Sequence, residues 1–247
     1  MKNRIHLIIP MGGLGSRFSE AGFTLPKPLI EIKGKPFLYW ATQSISRFVD
    51  VQDIIFIVLR QHIDEFKIDE TIKLYFPDAK IVIDNSGSKG AVTSCLECID
   101  YISDEMPLVF NDCDHLFNCK EFNNYCNSGD FNNFDGALLT FTSNDPKFSF
   151  LEFDDKGNVA RTVEKVAVSN NAICGTYYFK NRTVFEENAK EYLKTCSYKE
   201  FFMSGVYNVM TSKDLIIKGF NVDMHLPFGT PEEYEEALKS NDFEMLK

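Results

Sequence analysis

The residues best suited to chemistry lie between positions 10 and 28. Gly12, Gly13 and Gly15 follow the apolar run 5–9, and Ser16, Arg17 and a Pro26-Lys27-Pro28 segment come after them. Glycines so close together let the main chain approach a ligand and turn its N–H groups toward an anion. Arg17 adds a planar cation suited to phosphate oxygens, and Lys27 adds a second charge on a proline-stiffened segment. A strand feeding such a loop is suited to a polyphosphate. Two common phosphate loops have other spacings. A dinucleotide fingerprint needs a glycine where Phe18 stands, and a P-loop needs Gly-Lys-Ser/Thr after its glycines.

A second constellation is Asn111-Asp112-Cys113-Asp114-His115, directly after the apolar stretch 107–110. Two carboxylates at i and i+2 on the carboxyl end of a strand sit where open α/β sheets bind ligands. Their hard oxygens suit Mg²⁺, or Mn²⁺ in its place, and such an ion bridges to phosphate oxygens. The plain alternative is a solvated acidic turn, which the preceding apolar strand argues against. His115 reads equally as a ligand or as a histidine behind the ligands.

To hold these groups the chain must build a sheet. Residues 5–10, 53–59, 79–84 and 107–110 read as buried strands. Helical patterns cover 36–48, the stretch from 60 to about 76, and 91–101, with a loop at 86–90. This alternation predicts a mostly parallel sheet with right-handed crossovers. Later, 136–142, 148–154, 159–164 and 172–179 read as strands, the middle two joined by a turn at Asp155-Lys156-Gly157. Residues 183–194 and 205–218 read as helices and 220–226 as a strand. A closing helix covers 230–239, with Thr230 as its cap and Pro231 in the first position. The expected architecture is one α/β domain over 1–247, a Rossmann-like three-layer sandwich around a mixed, mostly parallel sheet. Residues 1–135 form a nucleotide-binding half and 136–247 a substrate-binding half.

The 247 residues are 44% hydrophobic and carry a formal net charge of -10. That charge argues against a nucleic-acid or anionic-membrane surface. No apolar run approaches the ~18 residues of a membrane span, and the N-terminus lacks a signal-type cleavage pattern. The expected location is the cytoplasm. The seven cysteines are scattered and read as free thiols. Cys95 and Cys98 lack a second pair or a nearby histidine, so they read as small residues on one face of a buried helix.

With these residues in view, the chain resembles the sugar-phosphate nucleotidyltransferases, the nucleotide-sugar pyrophosphorylases of GT-A-like fold. The glycine loop with Arg17 and Lys27 resembles the family's opening motif. Asn85 through Gly90 and Ala91 resembles its base-holding loop, and Asp114 its metal-binding aspartate. Glu164-Lys165 and Ser169-Asn170-Asn171-Ala172-Ile173-Cys174-Gly175-Thr176-Tyr177 resemble the segment lining its sugar-phosphate pocket. Gly229-Thr230-Pro231-Glu232 resembles the turn before its last helix. These matches occur in order over about residues 4–239.

The resemblance implies that a phosphate oxygen of a sugar 1-phosphate attacks the α-phosphorus of a nucleoside triphosphate and pyrophosphate leaves. No protein nucleophile is needed. Arg17 would neutralise the pyrophosphate, Lys27 would bridge the two reacting phosphates, and Lys165 would hold the sugar phosphate. Met11, Gly12, Gly13, Gly15, Ser16, Asn85, Gly90 and Ala91 would bind the nucleotide. Asn111, Glu164, Ser169, Asn170, Gly175 and Tyr177 would bind the acceptor. Asp114, with Asp112, would carry Mg²⁺. Many relatives have a further metal-binding aspartate where this chain has Pro227, and Asp223 lies four residues upstream. Asp112 is expected to supply the missing carboxylate.

CTP or UTP is the expected triphosphate, from Asn85 and the Gly12-Gly13 pair. The expected acceptor is a phosphorylated sugar or polyol, serving capsule or other surface-polysaccharide precursor synthesis. Assembly as a homo-oligomer is compatible with the sequence. Two other readings stand beside this one. A GT-A-type glycosyltransferase would use Asp112-Cys113-Asp114 but has no need of the glycine–arginine loop. A non-catalytic nucleotide-binding relative would explain Pro227 but not the joint presence of Arg17, Lys27, Asp114 and Lys165.

Overall fold

The structure is a computed structural model that describes residues 4–87 and 89–246. Ser88, inside the expected loop 86–90, and the first three residues lie outside the described residues. From the N-terminus, β1 (Ile5–Met11) leads through the glycines into α1 (Ser16–Glu20) and a 3-10 turn at Lys27–Leu29. A small hairpin of β2 (Glu31–Ile32) and β3 (Lys35–Pro36) precedes α2 (Phe37–Ser46). Then come β4 (Val51–Leu59), α3 (Arg60–Phe66), α4 (Ile68–Tyr75), β5 (Lys80–Asp84), α5 (Ala91–Leu96), β6 (Leu108–Asn111), β7 (His115–Asn118) and α6 (Lys120–Ser128). The second half holds β8 (Gly136–Thr142), β9 (Ser149–Phe153), β10 (Val159–Glu164), β11 (Asn171–Phe179), α7 (Arg182–Thr195) and α8 (Met203–Thr211). It closes with β12 (Ile217–Asn221), β13 (Met224–Pro227) and α9 (Pro231–Lys239).

Among the described residues the main sheet has nine strands, with β10-β9-β11-β6-β1-β4-β5 as its path and β8 and β12 branching from β11. β1 lies parallel to β4 and β6, and β4 parallel to β5, so their carboxyl ends open on one edge. β11 runs antiparallel to β6, with Thr176 opposite Asn111. That pairing puts strands from both halves of the chain side by side in one sheet.

Alternation along the strands fills two core layers. Leu7, Ile9 and Met11 of β1 join Leu38, Ile72 and Phe122 on one face. Ile8 joins Val92, Phe185 and Met210 on the other. A third cluster packs Phe18 against Phe37, Phe228 and Ala237, which seats α1 and α9 beside the glycine loop. Position 18 therefore needs a large ring, which accounts for the absent third glycine.

Several expected elements differ. The helix expected to reach residue 76 is broken at Lys67, which takes a left-handed φ of 53°. The helix expected over 91–101 stops at Leu96 and resumes as a 3-10 turn at Ile99–Tyr101. That expected over 205–218 ends at Thr211, where Asp214 (φ 59°) turns the chain into β12. The single strand expected over 220–226 is two, because β13 leaves the main sheet to pair with β7. β7 and α6 lie in a stretch where no element was expected. No helix among the described residues is long and apolar enough to cross a membrane.

Candidate active site

The glycine loop emerges at the carboxyl end of β1 and rests on Asp84, the last residue of β5. A Cβ on Gly12 would stand 2.1 Å from Asp84 Oδ2, so the main chain lies directly on that carboxylate. Asp84 accepts hydrogen bonds from the Ser86 amide (2.8 Å) and the Ser94 hydroxyl (2.5 Å), tying the loop after β5 and the helix α5 to the glycines. Gly15 has φ 64° and packs on Lys27, whose Cβ would lie 3.1 Å from an added Cβ. Gly90 starts α5 with φ 129°, and an added Cβ there would meet the Phe201 amide at 2.4 Å. These loops enclose a cavity of about 530 Å³ walled by Met11, Gly12, Gly13, Gly15, Lys27, Gly90 and Ala91, with Asp112 and Asp114 at its end. Ser94, Glu200 and Phe202 also line it.

Each of the two carboxylates is cradled by a glycine. The Asp112 amide donates to Gly175 O (2.9 Å), and a Cβ on Gly175 (φ 89°) would come within 2.6 Å of Asp112 Oδ2. Asp114 O accepts from the Phe228 amide (2.9 Å), and a Cβ on Gly229 would stand 2.4 Å from Asp114 Oδ2. Lys27 Nζ lies 2.5 Å from Asp114 Oδ2. Burial disfavours the Lys27 charge, but Asp114, with Cys113 and Asp112 adding to it, outweighs burial and raises the ammonium pKa. Burial likewise opposes ionisation of Asp114, and Lys27 reverses this and holds its pKa low. Asp112 is the contrary case. Burial raises its pKa first, and crowding by Asp114 and Glu164 outweighs the help from Lys27. It is a carboxylate short of positive charge.

A second cavity of about 270 Å³ adjoins the first and shares Ala91, Asp112, Asp114 and Phe202 with it. Its own walls include Lys147, Glu164, Lys165, Gly175, Tyr177, His115, His225 and Pro227. Glu164 ends β10, and its Oε1 accepts from Ser149 (2.5 Å) and from Ser204. Lys165 follows in the left-handed region (φ 54°), with its amide donating to Phe148 O (3.0 Å). Lys147 pairs with Glu233 (3.0 Å), whose other oxygen accepts from the Gly229 and Thr230 amides. The same glutamate completes a capping box with Thr230 at the start of α9.

The pattern of the nucleotidyl transferase family matches residues 6–240. The chain belongs to that family. A D-glycero-α-D-manno-heptose 1-phosphate guanylyltransferase from Campylobacter jejuni is 23% identical over 243 residues, covering 95% of this chain and 99% of that protein. A nucleoside-diphosphate-sugar pyrophosphorylase from Vibrio cholerae RC9 superposes with a TM-score of 0.80 at 21% identity, covering 95% of this chain and 100% of the other. The inositol-1-phosphate CTP transferase of T. maritima gives 0.76 at 16% identity, covering 96% of each chain. These solved structures share the fold.

In this nucleotidyl transferase, some residues singled out in the sequence stand away from the cavity walls. Asn111 faces the interior: its amide donates to Ala41 O (3.0 Å), and its Oδ1 accepts from Thr176 (2.6 Å) and faces His115 Nε2 (3.0 Å). Ser169 donates to Leu151 O (2.6 Å), and Asn170 O accepts from the Ser143 amide (3.1 Å), so both shape the turn before β11. Asn85 is exposed, and its amide turns back to Ile83 O (3.1 Å). Ser16 and Arg17 are exposed on α1, beside rather than within the larger cavity. Asp223 caps α6 through the Lys120 amide (2.7 Å), at the far end of β13 from Pro227. The cysteines are free thiols; Cys95 on α5 and Cys98, beyond that helix's end rather than on its face, both pack in the core.

Residues that the sequence did not single out also line the site. Lys147, Glu200, Phe202 and His225 come from loops and strand ends far along the chain.

Proposed function

We propose that the protein transfers a nucleotidyl group from a nucleoside triphosphate to a phosphorylated sugar or polyol and releases pyrophosphate. The observation that carries this reading is the pair of adjoining cavities meeting at Asp112 and Asp114, with Lys27 on one side and Lys165 on the other. In this reading the triphosphate occupies the larger cavity, with its base against Gly12-Gly13 and Gly90-Ala91. The acceptor occupies the smaller one, with its phosphate toward Lys165 and its hydroxyls toward Glu164 and Tyr177.

An oxygen of the acceptor phosphate attacks the α-phosphorus, the bond to the β-phosphate breaks, and pyrophosphate leaves with the electron pair. Two anions must meet, so charge neutralisation and in-line placement carry the catalysis. Lys27 stays protonated beside Asp114 and places a fixed charge between the reacting phosphates. Arg17, on the exposed side of α1, closes over the departing pyrophosphate.

Asp112 and Asp114 suit Mg²⁺ or Mn²⁺. They are hard ligands two residues apart, and burial leaves Asp112 wanting a cation. Among the described residues no group of three or more histidine, cysteine, aspartate or glutamate side chains could hold a metal. The two aspartates would leave the remaining positions to substrate phosphates and water, as Mg²⁺ commonly requires. The ion would supply positive charge to the phosphate oxygens.

Pyrophosphate release from the four nucleoside triphosphates, each tested with phosphorylated sugars, polyols and choline, is the deciding experiment. CTP or UTP with a sugar or polyol phosphate is the expected pair. The product would be a donor for surface-polysaccharide assembly. Triphosphate binding without pyrophosphate release on any acceptor would overturn the reading.

A further inference from the structure

Phe202 stands at the partition between the two cavities and lines both. The Lys165 ammonium lies over its ring, 5.0 Å from the centroid. An exposed lysine on a four-carbon stem has many rotamers, and the negative face of an aromatic ring restricts them. A phenyl ring also leaves the ammonium its charge and its N–H donors. A carboxylate in the same place would consume both.

Both partners are fixed from behind. Lys165 keeps a left-handed backbone, which side-chain-bearing residues hold only where their surroundings impose it. Phe202 is the N-cap residue of α8, and that helix is tied to β10 by Thr162 Oγ1 donating to Ser204 O (2.8 Å). On the other side, the Phe201 amide donates to Lys89 O (3.0 Å), and Phe201 O accepts from the Val92 amide (3.1 Å). The ring is thus anchored to the loop that flanks Gly90.

We propose that Phe202 is the positioning residue for Lys165, holding its ammonium at the seam where an acceptor phosphate would meet the triphosphate. The inference rests on the reading of Lys165 given above. Capture of the acceptor phosphate, rather than of the triphosphate, should depend on the ring.

Steady-state pyrophosphate release by F202L, F202Y and F202W tests this. The expected result is an acceptor KM raised about three- to tenfold in F202L, with the triphosphate KM within about twofold of wild type. F202Y and F202W should stay near wild type, and F202L should add no further loss in a K165A background. An equal loss in the K165A background, or equal rises in both KM values, would overturn the proposal.

NMR of the protein with ¹³C-methylated lysines judges the contact without turnover. The Lys165 signal, assigned by its absence in K165A, should show a ring-current shift that F202L removes. An unshifted Lys165 signal in the wild type would sink the placement even if F202L does not fold. Absence of pyrophosphate release by the wild type would count against the functional reading and leave this contact standing.

Discussion

Lys27 Nζ and Asp114 Oδ2 lie 2.5 Å apart at the join of two cavities, each side chain 24% exposed toward the space between them. The lysine reaches that point from a 3-10 turn, with Gly15 packed against its Cβ. Lys27→Ala should therefore lower turnover by about 10²–10³-fold, the scale of losing a fixed charge at a developing anion. Circular dichroism should stay close to wild type, while the melting temperature at pH 8 should fall, because Asp112 and Asp114 lose their shared cation. Wild-type rates of pyrophosphate release from this variant would remove Lys27 from the chemistry.

Asp112→Asn should separate stability from activity. The folded protein raises the pKa of this carboxyl above its ordinary 3.8, so the fold binds its proton more tightly than the unfolded chain does. The charged form costs little at pH 3.8 and progressively more as pH rises. Urea unfolding with EDTA should show the variant about 1–2 kcal/mol more stable than wild type at pH 8, with the gap shrinking toward pH 4. The Mg²⁺ concentration for half-maximal activity should rise at least about tenfold. An unchanged Mg²⁺ requirement would sink the assignment of Asp112 as a ligand.

The histidines make the fold sensitive to acid. Because the Asn111 amide nitrogen donates to Ala41 O, its Oδ1 is an acceptor, so His115 Nε2 donates to it. His115 Nδ1 then accepts from His225 Nε2 at 3.4 Å, and His225 Nδ1 is left buried with no partner among the described residues. Burial pushes His115 down to about 4 and His225 to about 3. A histidine held neutral in the fold contributes stability that is complete above its ordinary 6.5 and is lost as pH falls. In the Asp112→Asn background, which removes the opposing carboxyl, the unfolding free energy should drop by about 1–3 kcal/mol between pH 7.5 and 5. His225→Phe, which keeps a ring against Phe141, should flatten that slope. An identical slope in the variant would point to other groups.

Gly90→Ala puts a methyl group 2.4 Å from the Phe201 amide at φ 129°. The strap 200–202 or the loop must move. A loss of about 2 kcal/mol or more and a raised triphosphate KM are expected. Calorimetry and saturation kinetics read the two effects. A variant with both values unchanged would show that the contact is not close in solution.

What could be read in the sequence follows from how local each signal is. β1 and the second half of β4 are buried on consecutive residues, hence on both faces, and so they read as largely apolar runs. The glycines, Lys27 and the paired aspartates stand out because each residue type has few other uses at that spacing. α6 is mostly polar and stands on buried Phe122 and Cys126 and on a cap from Asp223, which lies 103 positions away. Leu215 and Ile217 extend the apolar spacing of α8, and only the turn at Asp214 separates them from it. Asn111 and Asp112 are neighbours in sequence, but successive residues of an extended chain face opposite sides. One entered the core while the other reached the cavity. Phe202, Glu200 and Lys147 sit in patternless loops that tertiary packing carries to the site.

Ser149 of β9 and Ser204 of α8 both donate to one oxygen of Glu164. The carboxylate is thereby turned and locked, with a single oxygen left for whatever enters the smaller cavity. In the proposed reaction, a ring hydroxyl of the acceptor on the matching face would donate to that oxygen, and the epimer with the hydroxyl reversed would not. Two serines thus make the two oxygens of a symmetric group inequivalent, and under the proposed function acceptors of equal size, charge and hydroxyl count would be sorted by the configuration of one carbon.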